Sequence, residues 1–361
     1  MKGENDMIKK AVFDNFRGFQ HMELSDLGAV TLISGKNNSG KSSVLEGIFL
    51  ALGYKTPESF ALINSIRGLS VMISPDALWD TLFHNLELKK EIEITLSIDS
   101  LELNLTYSRD DNFTPVTTLS SSPEVLQQFM SSAQKTYNLK FHFSYGEYSE
   151  DGHFIMSPQG ILRNTEQVVS KTNSLPMVQY IHSSRSITNN FVAELFGIIE
   201  RTNKKEQLIE TLKVIDDSIS DITTVVSGNQ PQLYAKMRGQ WFPLRLAGDG
   251  FDRLLLILTS LVVHEHPVLL IDEIETGFHY SVYNKFWEAV MTVAKEQKCQ
   301  VIATTHSYEC LESAVNQAKN TGIGDDFSYF RLGRNKKDET VAYRLSQDLL
   351  AHATDNDLEV R

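Results

Sequence analysis

The residues Gly35-Lys36-Asn37-Asn38-Ser39-Gly40-Lys41-Ser42-Ser43 combine glycines, a lysine and hydroxyls at the spacing of a P-loop. The glycines let the backbone wrap around an anion with no Cβ in the way. The loop N–H groups and the start of a following helix would then point at phosphate oxygens. Gly35, Asn37, Asn38, Ser39, Gly40, Lys41, Ser42 and Ser43 are therefore candidate nucleotide-binding residues. Lys41 is placed to bridge β- and γ-phosphates and Ser42 to hold Mg²⁺. Far along the chain, Asp272 and Glu273 end an apolar run, Val268 to Ile271. Strands often stop at acids for no functional reason, but a shared chain with a P-loop gives these two a task. Asp272 suits the Mg²⁺ shell and Glu273 the polarising of an attacking water. His306 follows a third polar-tipped strand, where it would sense the γ-phosphate. Gly248-Asp249-Gly250 opens an apolar helix, and two glycines at a helix start make an anion-binding nest.

These groups need a scaffold that brings distant segments to one edge. Val30 to Ile33 reads as the strand entering the P-loop, and Ser42 to Leu52 as the helix leaving it. Val268 to Ile271 and Gln300 to Thr304 are continuous apolar runs, as in strands buried on both faces of a parallel sheet. Ligands bind beyond the carboxyl ends of such strands. Arg253 to His264, Val282 to Glu296 and Tyr308 to Ala318 read as helices, and Phe327 to Leu332 with Thr340 to Leu345 as a closing strand pair. Between the P-loop helix and this regular part lies a meander: Glu91 to Ile98, Leu101 to Tyr107, Leu139 to Tyr145 and Gly152 to Met156 alternate as half-buried strands do. Leu78 to Leu86 and Pro123 to Tyr137 read as helical pieces within it. Asn189 to Arg201 and Lys205 to Asp217 are two charged helices, read as a lid or arm. Short strands follow at Ile219 to Val226, Gln232 to Met237 and Trp241 to Leu246. His264-Glu265-His266 sits directly before Pro267 and reads as a solvated turn rather than a metal site.

The 361 residues suffice for one large α/β domain with an insertion, or for two domains. A net charge of −12 argues against a protein that coats nucleic acid, while Arg201, Lys204, Lys205 and Lys213 leave a local basic surface open. The two cysteines, Cys299 and Cys310, lack disulfide-framework or metal-ligand spacing, which fits a reducing, cytoplasmic setting. Met1 to Lys10 has no apolar stretch of the signal-peptide kind, and no run is long enough to span a bilayer.

In order, Asn15-Phe16-Arg17-Gly18-Phe19, the P-loop, the Gly-Asp-Gly helix start, Ile271-Asp272-Glu273-Ile274-Glu275-Thr276-Gly277-Phe278-His279 and Ala303-Thr304-Thr305-His306-Ser307 resemble ABC-type ATPases of the SMC/RecF/OLD group. The resemblance covers about residues 7–52 and 176–346 and is strongest to the ATPase domain of OLD-family proteins. It implies a P-loop NTPase of α/β class: an ABC-type ATPase head with an antiparallel β lobe and a helical insertion. The divisions would be 1–53 and 176–346 for the head, 54–175 for the β-rich lobe, a helical arm at about 189–217, and a polar tail over 347–361. It implies ATP and Mg²⁺, with two ATP molecules held in a head-to-tail dimer. Gly248, Asp249 and Gly250 would face the partner copy's γ-phosphate. Glu273 would be the catalytic base, Glu275, Gly277 and His279 would lie in a D-loop at the dimer seam, and His306 would be the switch histidine. Arg17 would lie near the nucleotide.

Two positions depart from that pattern. Gly248 stands where a signature serine is usual. The Q-loop glutamine is also missing from its place, where His182-Ser183-Ser184-Arg185 follows a strand that contains Gln179; His182 or Ser183 would substitute. OLD nucleases continue into a Toprim domain, and only a short tail follows Leu345 here. The resemblance thus implies an ATPase subunit of a prokaryotic anti-phage defence module, gating a separate nuclease or toxin. The rival reading is a RecF-like DNA-repair ATPase, and a third is a nucleotide-held scaffold that never cleaves ATP. No membrane association is expected.

Overall fold

A computed structural model describes residues 7–68, 75–110, 138–157, 160–169, 174–183, 189–227, 230–244, 249–263 and 267–346. The helix expected over Pro123 to Tyr137, the His264-Glu265-His266 turn and the polar tail lie outside these residues.

The nucleotide-binding pattern sits on a six-stranded sheet. Its strands are β3 (Val30–Gly35), β9 (Val178–Ile181), β13 (Val268–Ile271), β14 (Gln300–Thr304), β15 (Phe327–Arg334) and β16 (Thr340–Leu345). They run in the order β16-β15-β3-β14-β13-β9, all parallel except β16. The apolar runs are explained by what covers them. Alternate side chains point to opposite faces: Leu269 and Ile271 enter one core and Val268 and Leu270 the other. Val301 and Ala303 likewise face one side and Ile302 the other. Helices Asp249–Val263, Tyr283–Gln297 and Tyr308–Asn320 contribute to the first core, and helix Lys41–Leu52 to the second.

The second core is shared with a seven-stranded antiparallel sheet. It contains β1 (Ile8–Phe16), β2 (Phe19–Ser25), β4 (Ile92–Ile98), β5 (Leu101–Arg109), β6 (Asn138–Tyr145), β7 (Tyr148–Ser157) and β8 (Gly160–Val169). The order is β2-β1-β4-β5-β6-β7-β8, so the meander extends the sheet begun by the first two strands, through β1–β4 pairing. Gln300 fastens the two sheets together. Its side chain accepts from the Ile8 N–H at 2.9 Å and donates to the carbonyls of Ile8 and Gly28 at 2.7 and 3.0 Å.

A third sheet, β10 (Ile219–Ser227), β11 (Gln230–Met237) and β12 (Gln240–Pro243), is antiparallel. The helices Asn189–Arg201 and Lys205–Ile215, expected as a lid or arm, are instead a layer of the main core. Leu195, Phe196, Ile199, Leu208 and Leu212 are buried there. The apolar stripe on each helix outweighs its charge, which occupies only the outer face. Three basic residues of this region are also engaged: Lys204 donates to the Val262 carbonyl, Lys205 pairs with Asp221, and Lys213 with Glu210. Among the described residues, no helix is long and apolar enough to cross a membrane.

Candidate nucleotide-binding cleft

The loop after β3 is built from backbone that glycine permits. Gly35 has φ +147, and a Cβ there would lie 2.6 Å from the Leu332 carbonyl oxygen and 2.7 Å from Ser39 Oγ. Gly40 has φ +89 and faces the Phe19 ring, which a Cβ would meet at 2.5 Å. Asn38 also takes a left-handed φ, 67°, a region that asparagine tolerates better than most residues. The helix Lys41–Leu52 starts directly behind the loop. Lys41 Nζ donates to the carbonyls of Gly35 and Lys36, at 2.9 and 3.0 Å. Burial pulls the Lys41 pKa down, and the nearby charges of Asp272, Glu273 and Glu275 oppose it.

Asp272 is 3% exposed and collects three partners from three elements. Ser42 Oγ lies 3.1 and 3.0 Å from its two oxygens, Thr304 Oγ1 donates to Oδ1 at 2.6 Å, and His182 Nε2 lies 3.2 Å from Oδ2. Burial alone would raise the Asp272 pKa, but the hydrogen bonds from His182 and Thr304 outweigh it and hold the carboxyl below its usual range. The donor set suits Mg²⁺, which takes one or two protein oxygens and leaves its other positions to water and phosphate. Among the described residues there is no cluster of three or more His, Cys, Asp or Glu able to hold a metal. A metal here would thus rest on Ser42, Asp272 and its phosphate ligands.

Glu273 takes a left-handed φ of 48°, which turns its side chain away from the strand line. Its N–H donates to Thr304 Oγ1 at 2.8 Å, and its Oε2 accepts from Thr276 Oγ1 at 3.3 Å. Glu275 Oε1 accepts from the His306 N–H at 2.7 Å. The His306 ring itself is exposed. His279 is exposed too, and its Nδ1 lies 2.9 Å from Ser281 Oγ.

A cleft of about 640 Å³ brings together Arg17, Asn37, Asn38, Gly40, Lys41, Ser42, Ser43, Asp272, Glu273 and His306. A neighbouring cleft of about 450 Å³ lies on the other side of Asn37 and His306, against Gly35 and Lys36. Gly250, Glu275, Gly277 and His279 line neither. Gly250 instead abuts Gly277, whose carbonyl oxygen would lie 2.0 Å from a Cβ on Gly250. Gly248 and the Asp249 side chain fall outside the described residues. Of the two residues offered for the missing glutamine, His182 lines the cleft and reaches Asp272, while Ser183 does not line it; Gln179 lies within β9.

Several residues in and behind the cleft escape motif reading. Glu46, 1% exposed, is held between Arg17 Nε at 3.0 Å and Arg67 Nε at 2.7 Å. Arg17 also donates to the Thr81 carbonyl, and Arg67 to Ser43 Oγ. Glu46 stands four residues after Ser42, on the same helix face, which was a usable signal. Thr304 ends the strand beside Asp272, a placement implied by parallel pairing. Arg67 belongs to no pattern. Arg253, three residues after Gly250, is 4% exposed and points at the strand ends.

Residues 30–312 match the family described as AAA domain, putative AbiEii toxin, Type IV TA system. A Helicobacter pylori protein named ATP/GTP phosphatase is 24% identical over 327 residues, covering 85% of this chain and 87% of its own. An uncharacterized protein of Methanocaldococcus jannaschii is 34% identical over 94 residues, covering 25% of this chain and 41% of its own. The crystal structure of the SmcHead bound to the C-winged helix domain of ScpA superposes with a TM-score of 0.50 at 12% identity, over 94% of this chain and 98% of that one. At that identity the likeness is one of fold. The chain belongs to this AAA-domain family, on the α/β fold of ABC-type, SMC-head P-loop ATPases.

Proposed function

We propose that the chain binds and hydrolyses ATP in a site that a second copy of itself completes. The observation that carries this reading is the division of labour between elements. Ser42 and Asp272 meet at 3.0 to 3.1 Å in the cleft that also holds Lys41 and Glu273, while the Gly250 helix start faces Gly277 outside it. On this reading the helix start, whose described residue Gly250 does not line its own chain's cleft, serves the cleft of the other copy. Mg²⁺, when bound, would neutralise charge on the β- and γ-phosphates. The chain's own residues do the rest. Lys41 leaves the two loop carbonyls for the phosphates, Ser42 and Asp272 hold the metal, Glu273 orients and deprotonates the water, and His306 reads the γ-phosphate. Gly248 to Gly250 would reach the γ-phosphate of the other copy, with Glu275, Gly277 and His279 at the seam. The name of the Helicobacter pylori relative supports a nucleoside triphosphate as substrate.

Turnover is accordingly slow in the monomer and raised by assembly. ATPase rate per subunit should climb with protein concentration; a rate unchanged by dilution would overturn the composite site. The biological setting we propose is a defence module in which the ATPase gates a nuclease or toxin, kin to OLD-family ATPases. The toxin and toxin–antitoxin words of the family description support it. The DNA-binding alternative loses support from the engagement of Lys204, Lys205 and Lys213 with protein groups.

A further inference from the structure

The Asp249–Val263 helix has a polar link to the catalytic edge, made by one buried side chain. Arg253 NH1 donates to the His182 carbonyl at 3.1 Å, and NH2 donates to the carbonyls of Asp272 and Glu273 at 2.6 and 3.1 Å. The guanidinium thus caps two neighbouring parallel strands, β9 and β13, where their carbonyls run out of ladder partners. Glu273 is the residue with left-handed backbone, and both sides of its peptide frame are pinned. Thr304 Oγ1 accepts from its N–H, and Arg253 donates to its C=O. Such backbone persists only where its surroundings over-determine it. The same helix rests its first turn on the loop beyond Glu273, through the Gly250–Gly277 contact. Helix start, loop and Glu273 backbone are therefore tied at two points.

We propose that Arg253 is a positioning residue. It transmits engagement of the helix start by a second copy's nucleotide to the backbone, and hence the carboxylate, of Glu273. This rests on the composite-site reading above. A planar fork suits the task because it serves three carbonyls at fixed angles, which an ammonium cannot do.

The test compares the unaltered chain with Arg253→Met and Arg253→Lys. Each is titrated with a non-hydrolysed ATP analogue, to fix the folded and binding-competent fraction, and then assayed for ATPase across a range of protein concentrations. Arg253→Met should bind the analogue with affinity within about 3-fold of the unaltered chain. Its kcat per competent molecule should fall about 10²-fold, the scale of a misplaced catalytic group, and should no longer rise with concentration. Arg253→Lys should recover part of the rate. A purely structural role would lower the competent fraction and leave the rate per competent molecule and its concentration dependence intact, and that result overturns the proposal. If the unaltered chain itself shows no concentration dependence, the composite-site reading fails, and the proposal fails with it for want of a signal to transmit.

Discussion

Asp272 and Glu150 are equally hidden, 3% and 2% exposed, and in both hydrogen bonds outweigh burial and hold the carboxyl below its usual range. Their surroundings differ. Glu150 lies in the seven-stranded sheet and accepts from Tyr148 Oη at 2.6 Å, Thr165 Oγ1 at 2.8 Å and Tyr54 Oη at 3.1 Å, with Arg163 paired against it. Tyr54 is stacked on Phe143 with ring centroids 3.5 Å apart, and the Arg163 guanidinium lies over the Tyr54 and Phe141 rings. Two of the partners of Glu150, Tyr54 and Arg163, are thus held by ring contacts of their own. Asp272 is held by two hydroxyls and an imidazole and lines the cleft. On the proposed reading a metal would take Ser42 Oγ and an Asp272 oxygen, replacing only the hydrogen bond between them. Both Glu150 oxygens are already taken, Oε2 by the two tyrosines and Oε1 by Thr165 and Arg163, so a ligand there would have to displace them. Burial and a displaced pKa therefore do not distinguish a working carboxylate from a structural one. Access, and partners that a ligand can replace, do.

That contrast can be broken by experiment. Asp272→Asn should lower ATP turnover by about 10²-fold or more, roughly the 3 kcal/mol that a metal's charge stabilisation is worth, while the thermal midpoint moves by only a few degrees. Glu150→Gln should do the reverse. It breaks a buried charge pair and should cost about 3 kcal/mol in denaturant unfolding, with turnover per folded molecule unchanged. If the two variants behave alike in both assays, the distinction is wrong.

The pH dependence sharpens the contrast for Glu150. Its folded pKa lies below the unfolded value of about 4.3, so its contribution is fully present above that pH and is lost as pH falls through the folded value. Acid unfolding followed by circular dichroism should be shallower in Glu150→Gln than in the unaltered chain. The smallest expected effect is at Gly47, on the P-loop helix. A Cβ there would lie 2.4 and 2.7 Å from the Phe13 ring, so Gly47→Ala should cost about 1 to 2 kcal/mol by overpacking. Its turnover per folded molecule should be preserved, because the strain falls on the sheet side of the helix.

The parts of the site legible in the sequence were those written as continuous runs. The P-loop and the Val268 to Glu273 strand each carry their context with them, strand then loop or strand then acids. Parallel pairing of β3, β13 and β14 follows from their apolar runs. Groups that act across the sheet were not legible. Arg253 looks like an ordinary polar residue on an apolar helix, and only the fold brings it under the Asp272 and Glu273 carbonyls. Arg67 ends a short helix, Glu58–Ile66, that no strong periodic signal marked. Strand β8 carries no strand signal in the sequence because its middle, Arg163 to Gln167, is polar throughout. It is held by its ladder to β7 rather than by an alternating apolar face. The helices after β9 read as an arm because their charge is more conspicuous in sequence than their buried stripe.

Gln300 and Thr304 are the two ends of one strand. At one end Gln300 grips Ile8 and Gly28, and at the other Thr304 holds the Asp272 side chain and the Glu273 N–H. About 13 Å of stiff, fully paired backbone separates them. β14 is therefore a tie rod between the antiparallel sheet and the acids. The path of hydrogen bonds and strand backbone from β1 to the cleft therefore crosses no loop.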